Sequence, residues 1–412
     1  MEAEVQDDRL LGVFEAPLPP PAPDPDAEVR RALDSPIGSP PLEALAAGKR
    51  NAVVILSDHT RPVPSRHLVP EMLRRLRLGN PEIDVTLLVA TGCHRKPTRE
   101  ELVEKLGERI VEEERIVSHV GTDESSLADA GRLPSGGRLR LNKLALGADL
   151  LVSEGFIEPH FFAGFSGGRK AVLPGVASRE TVLANHCSEF IADPRARTGS
   201  LDGNPIHRDM LHAADVAGLA FVLNVVINPE KRIIRAFAGS HRAAHAEGCE
   251  FLGRACRVKV PRADIAVTSN GGHPLDQNVY QAVKGMTAGE AATREGGVIV
   301  MCAACGDGHG GEGFYRALAE AESPTALLEK FLAVPRDKTV PDQWEAQILA
   351  RVLSKRRVVL VSRDCDHALL RDMGLIPASS LEEGLAIATA LTNPRATVAA
   401  IPEGVAVIPA TE

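Results

Sequence analysis

The chain has 412 residues, of which 44% are hydrophobic and 25% are charged, a composition typical of globular proteins with sizeable cores. Its net charge of −8 gives no indication of a nucleic-acid surface. There is no run of about 18 apolar residues, the length that a membrane span needs, and the acidic start does not resemble a secretion signal. We therefore expect a cytoplasmic protein without nucleic-acid or membrane partners, and its seven cysteines fit free thiols.

The first predicted elements follow a proline-rich stretch, PLPPPAPDPD and then SPIGSPP. We predict an extended lead-in over residues 1–45. The apolar run Val53–Leu56 predicts a buried strand that ends in the polar loop SDHTRP. An amphipathic helix, SRHLVPEMLRRLRLGN, follows and is closed by Gly79-Asn80, and DVTLLVATGCHR repeats the pattern of a strand and a loop.

The next elements complete an alternation of strands and helices. Thr98 and Glu101 form a capping box that opens a helix, and DLLVSEGF predicts a further strand. This alternation is typical of a parallel α/β sheet, whose ligands bind beyond the carboxyl ends of the strands. Asp58, His94 and His160 all follow predicted strand ends, so we expect them to line one crevice.

A second series of elements begins at RADIAVTSNGGHPLD. It continues with the helix NVYQAVKGMTAGEAATR, the strand GVIVMC, the helix QWEAQILARVLSK and the strand RVVLVS, and Ser380 with Glu383 caps a last helix. We predict two Rossmann-like α/β domains with parallel-type sheets, at 46–260 and 261–395, and an active-site cleft between them. We expect the C-terminal tail, 396–412, to return to the N-terminal domain.

Three histidines stand in chemically useful contexts. His94 and His160 follow strands, where two acid/base groups are able to flank a planar intermediate. His186 ends a short helix capped by Ser178, and its position fits a metal ligand and a buried core histidine equally well. Asp58 and Arg61 fit the binding of a carboxylate or phosphate, but a local salt bridge before Pro62 is an equal alternative.

Several other motifs are ambiguous on their own. One predicted helix contains Tyr280, Gln281 and Lys284. Tyr280 and Lys284 lie on the same face of it, and the simplest interpretation of Lys284 is a solvated lysine. Trp344 is the chain's sole tryptophan. The segment CAACGDGH has too few ligands for structural zinc. GFSGG resembles a nucleophile elbow, but Pro159 interrupts the strand that such an elbow requires.

The segment HFFAGFSGGRKAVLPG has the glycines of a phosphate-binding loop. A Walker motif requires Ser or Thr after the lysine, and here Lys170 is followed by Ala171. The lysine therefore needs another explanation.

Taken together, the motifs resemble the nickel-dependent lactate racemase family. The resemblance covers SDHTRP, ATGCHR, EPHFFAGFSGGRKAVLPG, LANHC, HPLDQNVYQAVKG and QWEAQ, in matching order and spacing from about residue 35 onward. It implies a nickel pincer nucleotide (pyridinium-3-thioamide-5-thiocarboxylic acid mononucleotide with nickel) attached to Lys170 through a thioamide. It also implies that His186 is the nickel ligand from the protein and that Ser166, Gly167 and Gly168 approach the nucleotide's phosphate.

The same resemblance implies roles for the remaining residues. His94 and His160 would be the acid/base pair, and Arg61 and Lys284 would hold the substrate carboxylate. The other implied substrate-site residues are Gln281 and Tyr280 beside the carboxylate, Asp58 as an orienting group and Trp344 as a wall. Cys93 places a soft donor beside His94, and the resemblance assigns it no role.

The implied activity is racemisation or epimerisation of a 2-hydroxy acid by proton-coupled hydride transfer through a 2-keto acid. The α C–H bond is poorly acidic because its neighbour already carries a negative charge, which favours hydride removal. The same chemistry on malate, an aromatic hydroxy acid or a sugar acid is an alternative, as is a non-catalytic nickel- or nucleotide-binding carrier. The expected partners are the small-molecule substrate and the enzymes that make the cofactor.

Overall fold

A computed structural model describes residues 3–410, and its regular elements alternate along most of the chain. The strands are β1 Leu10–Val13, β2 Asn51–Ser57, β3 Asp84–Ala90, β4 Arg115–Ser118, β5 Leu127–Arg132, β6 Arg138–Asn142, β7 Leu150–Phe156, β8 Pro159–His160, β9 Gly164–Phe165, β10 Leu219–Ile227, β11 Ile233–Gly239, β12 Arg257–Lys259, β13 Ala263–Ser269, β14 Thr293–Cys302, β15 Arg357–Val361, β16 Ile376–Ala378, β17 Val398–Ile401 and β18 Ile408–Ala410.

The helices pack on both faces of the two large sheets. They are α1 Pro25–Asp34, α2 Leu42–Ala46, α3 Ser65–Gly79, α4 Arg99–Leu106, α5 Glu108–Glu113, α6 Lys143–Leu146, α7 Arg179–Asn185, α8 Ser188–Ala192, α9 Pro205–Val216, α10 Ala243–Cys256, α11 Val279–Ala292, α12 Glu312–Ala319, α13 Pro324–Leu332, α14 Gln343–Leu353, α15 His367–Asp372 and α16 Leu381–Leu391, with short 3-10 turns at Glu124–Ser126, Gly168–Ala171 and Arg336–Lys338. No helix within residues 3–410 combines the length and apolarity needed to cross a membrane.

The first sheet has the strand order β11-β10-β7-β2-β3-β4. All neighbours are parallel except β10 and β11. Val53 and Ile55 of β2 point into one hydrophobic cluster, while Val54 and Leu56 point into another. This alternation buries both faces, as expected of a parallel sheet covered by helices.

The second sheet has the order β1-β17-β13-β14-β15-β16, and every neighbouring pair is parallel. The predicted α/β class with parallel-type sheets is therefore confirmed. One hydrophobic cluster contains residues of both units, among them Ile191 of α8 and Ile348 of α14. The Gln347 side chain donates from its Nε2 to the Ser188 carbonyl oxygen over 2.9 Å, so polar contacts also join the units.

The prediction of an extended lead-in over 1–45 is wrong. β1 pairs with β17 in the second sheet, and α1 and α2 lie on the first unit. Asp24 caps α1 by accepting hydrogen bonds from the backbone of Asp26 and Ala27, and Pro25 occupies the first turn, where its missing N–H costs nothing. The proline richness concealed a helix start.

The described part of the predicted tail, residues 396–410, is divided between two places. β17 lies inside the second sheet, between β1 and β13, which differs from the expected return to the first unit. β18 pairs with β12, and Ile408 packs in a cluster with Phe165 and Phe237 of the first unit, as expected. Alanine and valine in β17 fit a buried central strand, and this pattern could have identified it.

Candidate active site

The carboxyl ends of β2, β3 and β7 meet at one edge of the first sheet because these strands are parallel neighbours. Asp58 follows β2, His94 lies in the loop after β3, and His160 belongs to β8, just after β7. The order β7-β2-β3 places the β2 loop, with Asp58 and Arg61, between the two histidines. These three loops therefore lie at the same edge of the first sheet.

The Asp58 carboxylate faces His94 Nδ1 and so determines which ring nitrogen of a neutral His94 carries the proton. The buried Asp58 carboxylate accepts a hydrogen bond from His94 Nδ1 over 2.7 Å and another from the Thr60 hydroxyl over 2.6 Å. Burial by itself would raise the pKa of Asp58, but these bonds and the nearby charges of His94 and Arg61 lower it to about 2. Asp58 is thus ionised at neutral pH, and in the neutral form of His94 the proton lies on Nδ1, which leaves Nε2 with a free lone pair.

His160 has the opposite arrangement. The Ala163 backbone N–H donates to His160 Nδ1 over 3.2 Å, so this nitrogen carries no proton. The ring packs against Phe161 and Phe162 at centroid distances of 5.0 and 4.5 Å. Burial, together with the charges of Lys170 and Lys284, holds the pKa of His160 well below its usual range. His160 is neutral and presents an Nε2–H.

Lys170 lies in the 3-10 turn Gly168–Ala171, and its Nζ is 6.0 Å from the ring centroid of Phe162. Burial and the charges of Arg169 and Arg61 hold the pKa of Lys170 well below its usual range. A neutral amine is a nucleophile, whereas an ammonium ion is not. This lysine is therefore suited to forming a covalent bond.

The glycines before Lys170 are required by close packing. Gly168 has φ +54°, and a Cβ there would lie 2.6 Å from the His245 ring. Its N–H donates to Asn224 Oδ1 over 2.8 Å, which differs from the expectation that it faces a phosphate. The Ser166 hydroxyl likewise accepts from the Glu158 N–H over 3.0 Å and donates to the Phe156 oxygen over 3.2 Å. At Gly167, with φ +77°, a Cβ would lie 2.8 Å from that same Phe156 oxygen.

Arg169 is a residue whose importance sequence reasoning missed. Its side chain is fully buried beneath the loop, where it donates to the Ala163 oxygen over 2.8 Å and to His245 Nε2 over 3.0 Å. Burial lowers the pKa of Arg169 to about 10. The sequence offered only the adjacency of two basic residues, which does not distinguish the buried one from the one that faces the site.

His186 ends α7 and lies between two aromatic rings. Its ring centroid is 5.0 Å from that of Phe162 and 5.2 Å from that of Trp344, which comes from α14 of the second unit. Its Nδ1 is buried and has no hydrogen-bond partner among the described residues. Burial and the charge of Lys170 lower the pKa of His186 to about 3, so the imidazole is neutral and able to bind a metal.

The second unit contributes α11 to the same space. Lys284 Nζ donates to Gln281 Oε1 over 2.5 Å, and the Tyr280 ring packs edge-on against Phe314 at 5.3 Å. Burial and the charge of Arg61 lower the pKa of Lys284, although Glu345 opposes this. The solvated lysine considered for this helix is therefore not what the structure has.

Two carboxyl groups near Lys284 were not predicted. Glu345 of α14 is buried, and burial raises its pKa to about 8 against the opposing charge of Lys284. Burial also raises the pKa of Glu158, against the charges of Arg61, Lys284 and Lys170. Glu158 belongs to the motif EPH and Glu345 to QWEAQ, but the presence of a glutamate in a motif does not indicate that its side chain is buried.

Arg61 is exposed on the β2 loop, and its backbone oxygen accepts a hydrogen bond from Lys105 Nζ over 3.2 Å. Its charge acts on His160, Lys170 and Lys284. Because the hydrogen bonds of Asp58 go to His94 and Thr60, Arg61 is available to bind an anion.

The segment that suggested zinc lies after β14. Cys305 is buried, and His309 Nε2 lies 3.6 Å from Glu312. Within residues 3–410, no group of three or more His, Cys, Asp or Glu side chains is arranged to hold a metal ion.

Comparison with known proteins identifies the family to which the chain belongs. Residues 1–199 match the family model of the lactate racemase N-terminal domain, and residues 258–409 match that of the C-terminal domain. The chain is 54% identical to lactate racemases of Thermoanaerobacterium thermosaccharolyticum and Lactiplantibacillus plantarum over 92% of its length, covering 89% and 90% of those proteins.

Solved structures give the same result. The lactate racemase apoprotein of Thermoanaerobacterium thermosaccharolyticum superposes with a TM-score of 0.96 at 51% identity, over 100% of this chain and 97% of that one. A protein from Thermotoga maritima shares the fold, with a TM-score of 0.66 at 19% identity over 90% of this chain and 97% of that one. The chain belongs to the lactate racemase family of isomerases.

Proposed function

We propose that this chain interconverts the two enantiomers of lactate in the cytoplasm, using a nickel pincer nucleotide attached to Lys170. The observation that carries the proposal is the pair of histidines placed after β3 and β7, the two neighbours of β2 in the first sheet. An enzyme that inverts a centre needs an acid/base group for each face of a planar intermediate. A carrier of the cofactor would need no such pair.

The residues around Lys170 fit such a cofactor. His186 offers a buried imidazole nitrogen without a partner among the described residues, and Lys170 offers an amine whose pKa is lowered by burial. Imidazole suits nickel, so His186 would hold the metal of the cofactor and Lys170 its organic part. When bound, the cofactor supplies a hydride acceptor. Cofactor-synthesis enzymes are the partners that the proposal requires.

The protein's own groups would perform the remaining work. His94 Nε2 accepts the substrate's hydroxyl proton, because Asp58 keeps the proton of the ring on Nδ1. Arg61 and Lys284 bind the substrate carboxylate, with Gln281 and Tyr280 beside it. His160 would serve the opposite enantiomer in its other tautomer, in which the proton lies on Nδ1, the Ala163 contact is released and Nε2 is free to accept the hydroxyl proton. Trp344 and the aromatic residues around His160 exclude water from the reacting atoms.

The test is to produce the protein together with cofactor-synthesis enzymes and to compare it with Lys170→Ala. We expect the unaltered protein to carry a cofactor-sized mass adduct and equimolar nickel, and to racemise lactate in a chiral assay. Lys170→Ala should lack all three, whereas Lys143→Ala, which removes an exposed lysine, should retain them. Nickel and activity without an adduct would contradict the attachment, and a loaded protein that leaves lactate unchanged would contradict the activity.

A further inference from the structure

A small cavity joins the two units next to the proposed acid/base and carboxylate-binding groups. It has a volume of about 40 Å³, and Glu158, His160 and Lys284 contribute to its wall. Phe161 of the first unit and Leu275 and Val405 of the second supply apolar wall. The proposed function, with the substrate carboxylate on Lys284 and the reacting carbon beside His160, would place the remaining substituent in this space.

The size of the cavity limits that substituent. A water molecule requires about 10 to 15 Å³ measured in this way, so the space holds about three water-sized groups. A methyl or ethyl group fits, whereas a phenyl ring or a sugar chain does not.

Two hydrogen bonds fix the cavity walls that the second unit contributes. The Gly404 N–H donates to the Ser269 oxygen over 2.8 Å, which holds the Val405 loop against the end of β13. Asn270 Nδ2 donates to the Leu275 oxygen over 2.5 Å, so the Leu275 loop is tied to the same strand end. The limit on substituent size is therefore set by two anchored loops.

The charges around the cavity limit the substituent further. Lys284 is the one cationic side chain among the described lining residues, and the proposed function already pairs it with the substrate's carboxylate. Glu158 lines the same space, and its carboxyl group offers no positive charge to a second carboxylate.

We propose that Leu275 and Val405 determine substrate specificity, restricting the enzyme to 2-hydroxy acids with a short, uncharged substituent on the reacting carbon. The inference rests on the proposed function, which supplies the orientation of the substrate. It predicts that lactate and 2-hydroxybutyrate fit the cavity, whereas malate and aromatic or sugar acids do not.

The experiment measures kcat/KM of the cofactor-loaded enzyme for lactate, 2-hydroxy-4-methylpentanoate and malate by chiral chromatography. The four-carbon substituent of 2-hydroxy-4-methylpentanoate exceeds the unaltered space. In Leu275→Ala and Val405→Ala we expect the ratio of this acid to lactate to rise about tenfold, since one methylene in an apolar pocket is worth roughly 10- to 200-fold. Val405→Ile should lower that ratio. Malate should remain a poor substrate in all of them, because the enlargement adds no cation for its second carboxylate.

Val340→Ala makes the same substitution at a side chain that is 54% exposed and outside the cavity, so its ratio should equal that of the unaltered enzyme. Unchanged ratios in all three cavity variants, with lactate still racemised, would overturn the assignment of Leu275 and Val405. An unaltered loaded enzyme that racemises none of the three acids would instead overturn the proposed function. Urea unfolding of each apoprotein shows whether a variant is folded, and Val405→Ile tests the inference even if both alanine variants unfold.

Discussion

At the scale of single residues, one hydrogen bond each makes His94 and His160 chemically different. His94 donates from Nδ1 to an ionised carboxylate, whereas Nδ1 of His160 accepts from a backbone N–H. The sequence identified both histidines and Asp58 because all three follow strands. It could not assign their protonation, since this depends on Ala163 and Thr60, whose backbone and hydroxyl positions exist only in the folded loops.

Asp58→Asn tests the role of the carboxylate. The amide has the size of the carboxyl group but no longer stabilises a proton on His94 Nδ1. The ring then loses its preference for the tautomer in which Nε2 carries the free lone pair. We expect kcat for lactate to fall by roughly 10²- to 10⁴-fold, the range typical of general acid–base catalysis. Nickel content should not change, and chiral assay with metal analysis measures both.

Asp149→Asn is the matched control, because Asp149 forms a surface ion pair with Arg50 over 3.0 Å, away from these loops. Its activity should equal that of the unaltered enzyme. A loss in Asp58→Asn that is no larger than in this control would contradict the orienting role.

At the scale of elements, the turn that carries Lys170 is shaped by the groups beneath it. Arg169 donates a hydrogen bond to the Ala163 carbonyl oxygen, and Asn224 accepts one from the Gly168 N–H. Gly168 also packs against His245. From the sequence, the glycines indicated a loop for phosphate. The structure uses them for contact with the protein itself, which only the placement of β10 and α10 reveals. Thr98 and Ser178, by contrast, cap helices as predicted, because capping depends on local sequence.

Gly168→Ala should destabilise the apoprotein for two reasons. Its φ of +54° is unfavourable for alanine, and the new Cβ would lie 2.6 Å from the His245 ring. We expect a loss of roughly 2 to 4 kcal/mol in the free energy of unfolding, from backbone strain and overpacking together. Urea unfolding measures it.

Gly48→Ala separates the two causes. Gly48 has φ +71°, but a Cβ there would meet nothing within 4 Å, so it should lose only the backbone part, about 1 to 2 kcal/mol. Equal losses in the two variants would show that the packing beneath the turn is looser than the structure has it.

At the scale of the whole molecule, the hydrophobic periodicity predicted the α/β class with parallel-type sheets, because buried parallel strands are nearly continuous apolar runs. It could not predict that the first strand crosses to the second sheet. Residues 10–13 are too few for a clear pattern, and their partner β17 is 385 or more positions away. Long-range pairing of this kind leaves no local signal.

The stability of the apoprotein should decrease with acid. Five histidines of the described residues have lowered pKa values because of burial, namely His119, His160, His186, His207 and His245. Below about pH 6.5 the unfolded chain binds more protons at these positions than the folded chain does. The free energy of unfolding should therefore fall as the pH is lowered from 6.5, by roughly 1 kcal/mol at one pH unit below for a histidine whose pKa is lowered to about 3, such as His186 or His207.

His207→Gln should reduce this slope, since the pKa of His207 is lowered to about 3. His67→Gln is the control, because His67 is exposed and paired with Asp26 over 2.7 Å, and removing it should not reduce the slope. Urea unfolding at pH 7.5, 6.5 and 5.5 gives the comparison. A flat profile in the unaltered protein would contradict the neutral state of the buried histidines.

The pairing of β1 with β17 also determines the order in which the chain can assemble. Leu10 is synthesised long before its partner Val398, because most of the chain lies between them. At a synthesis rate of about 5 to 20 residues per second, the edge strand waits tens of seconds for the strand it joins. The first unit is able to fold during translation, but the second sheet closes only after β17 has left the ribosome.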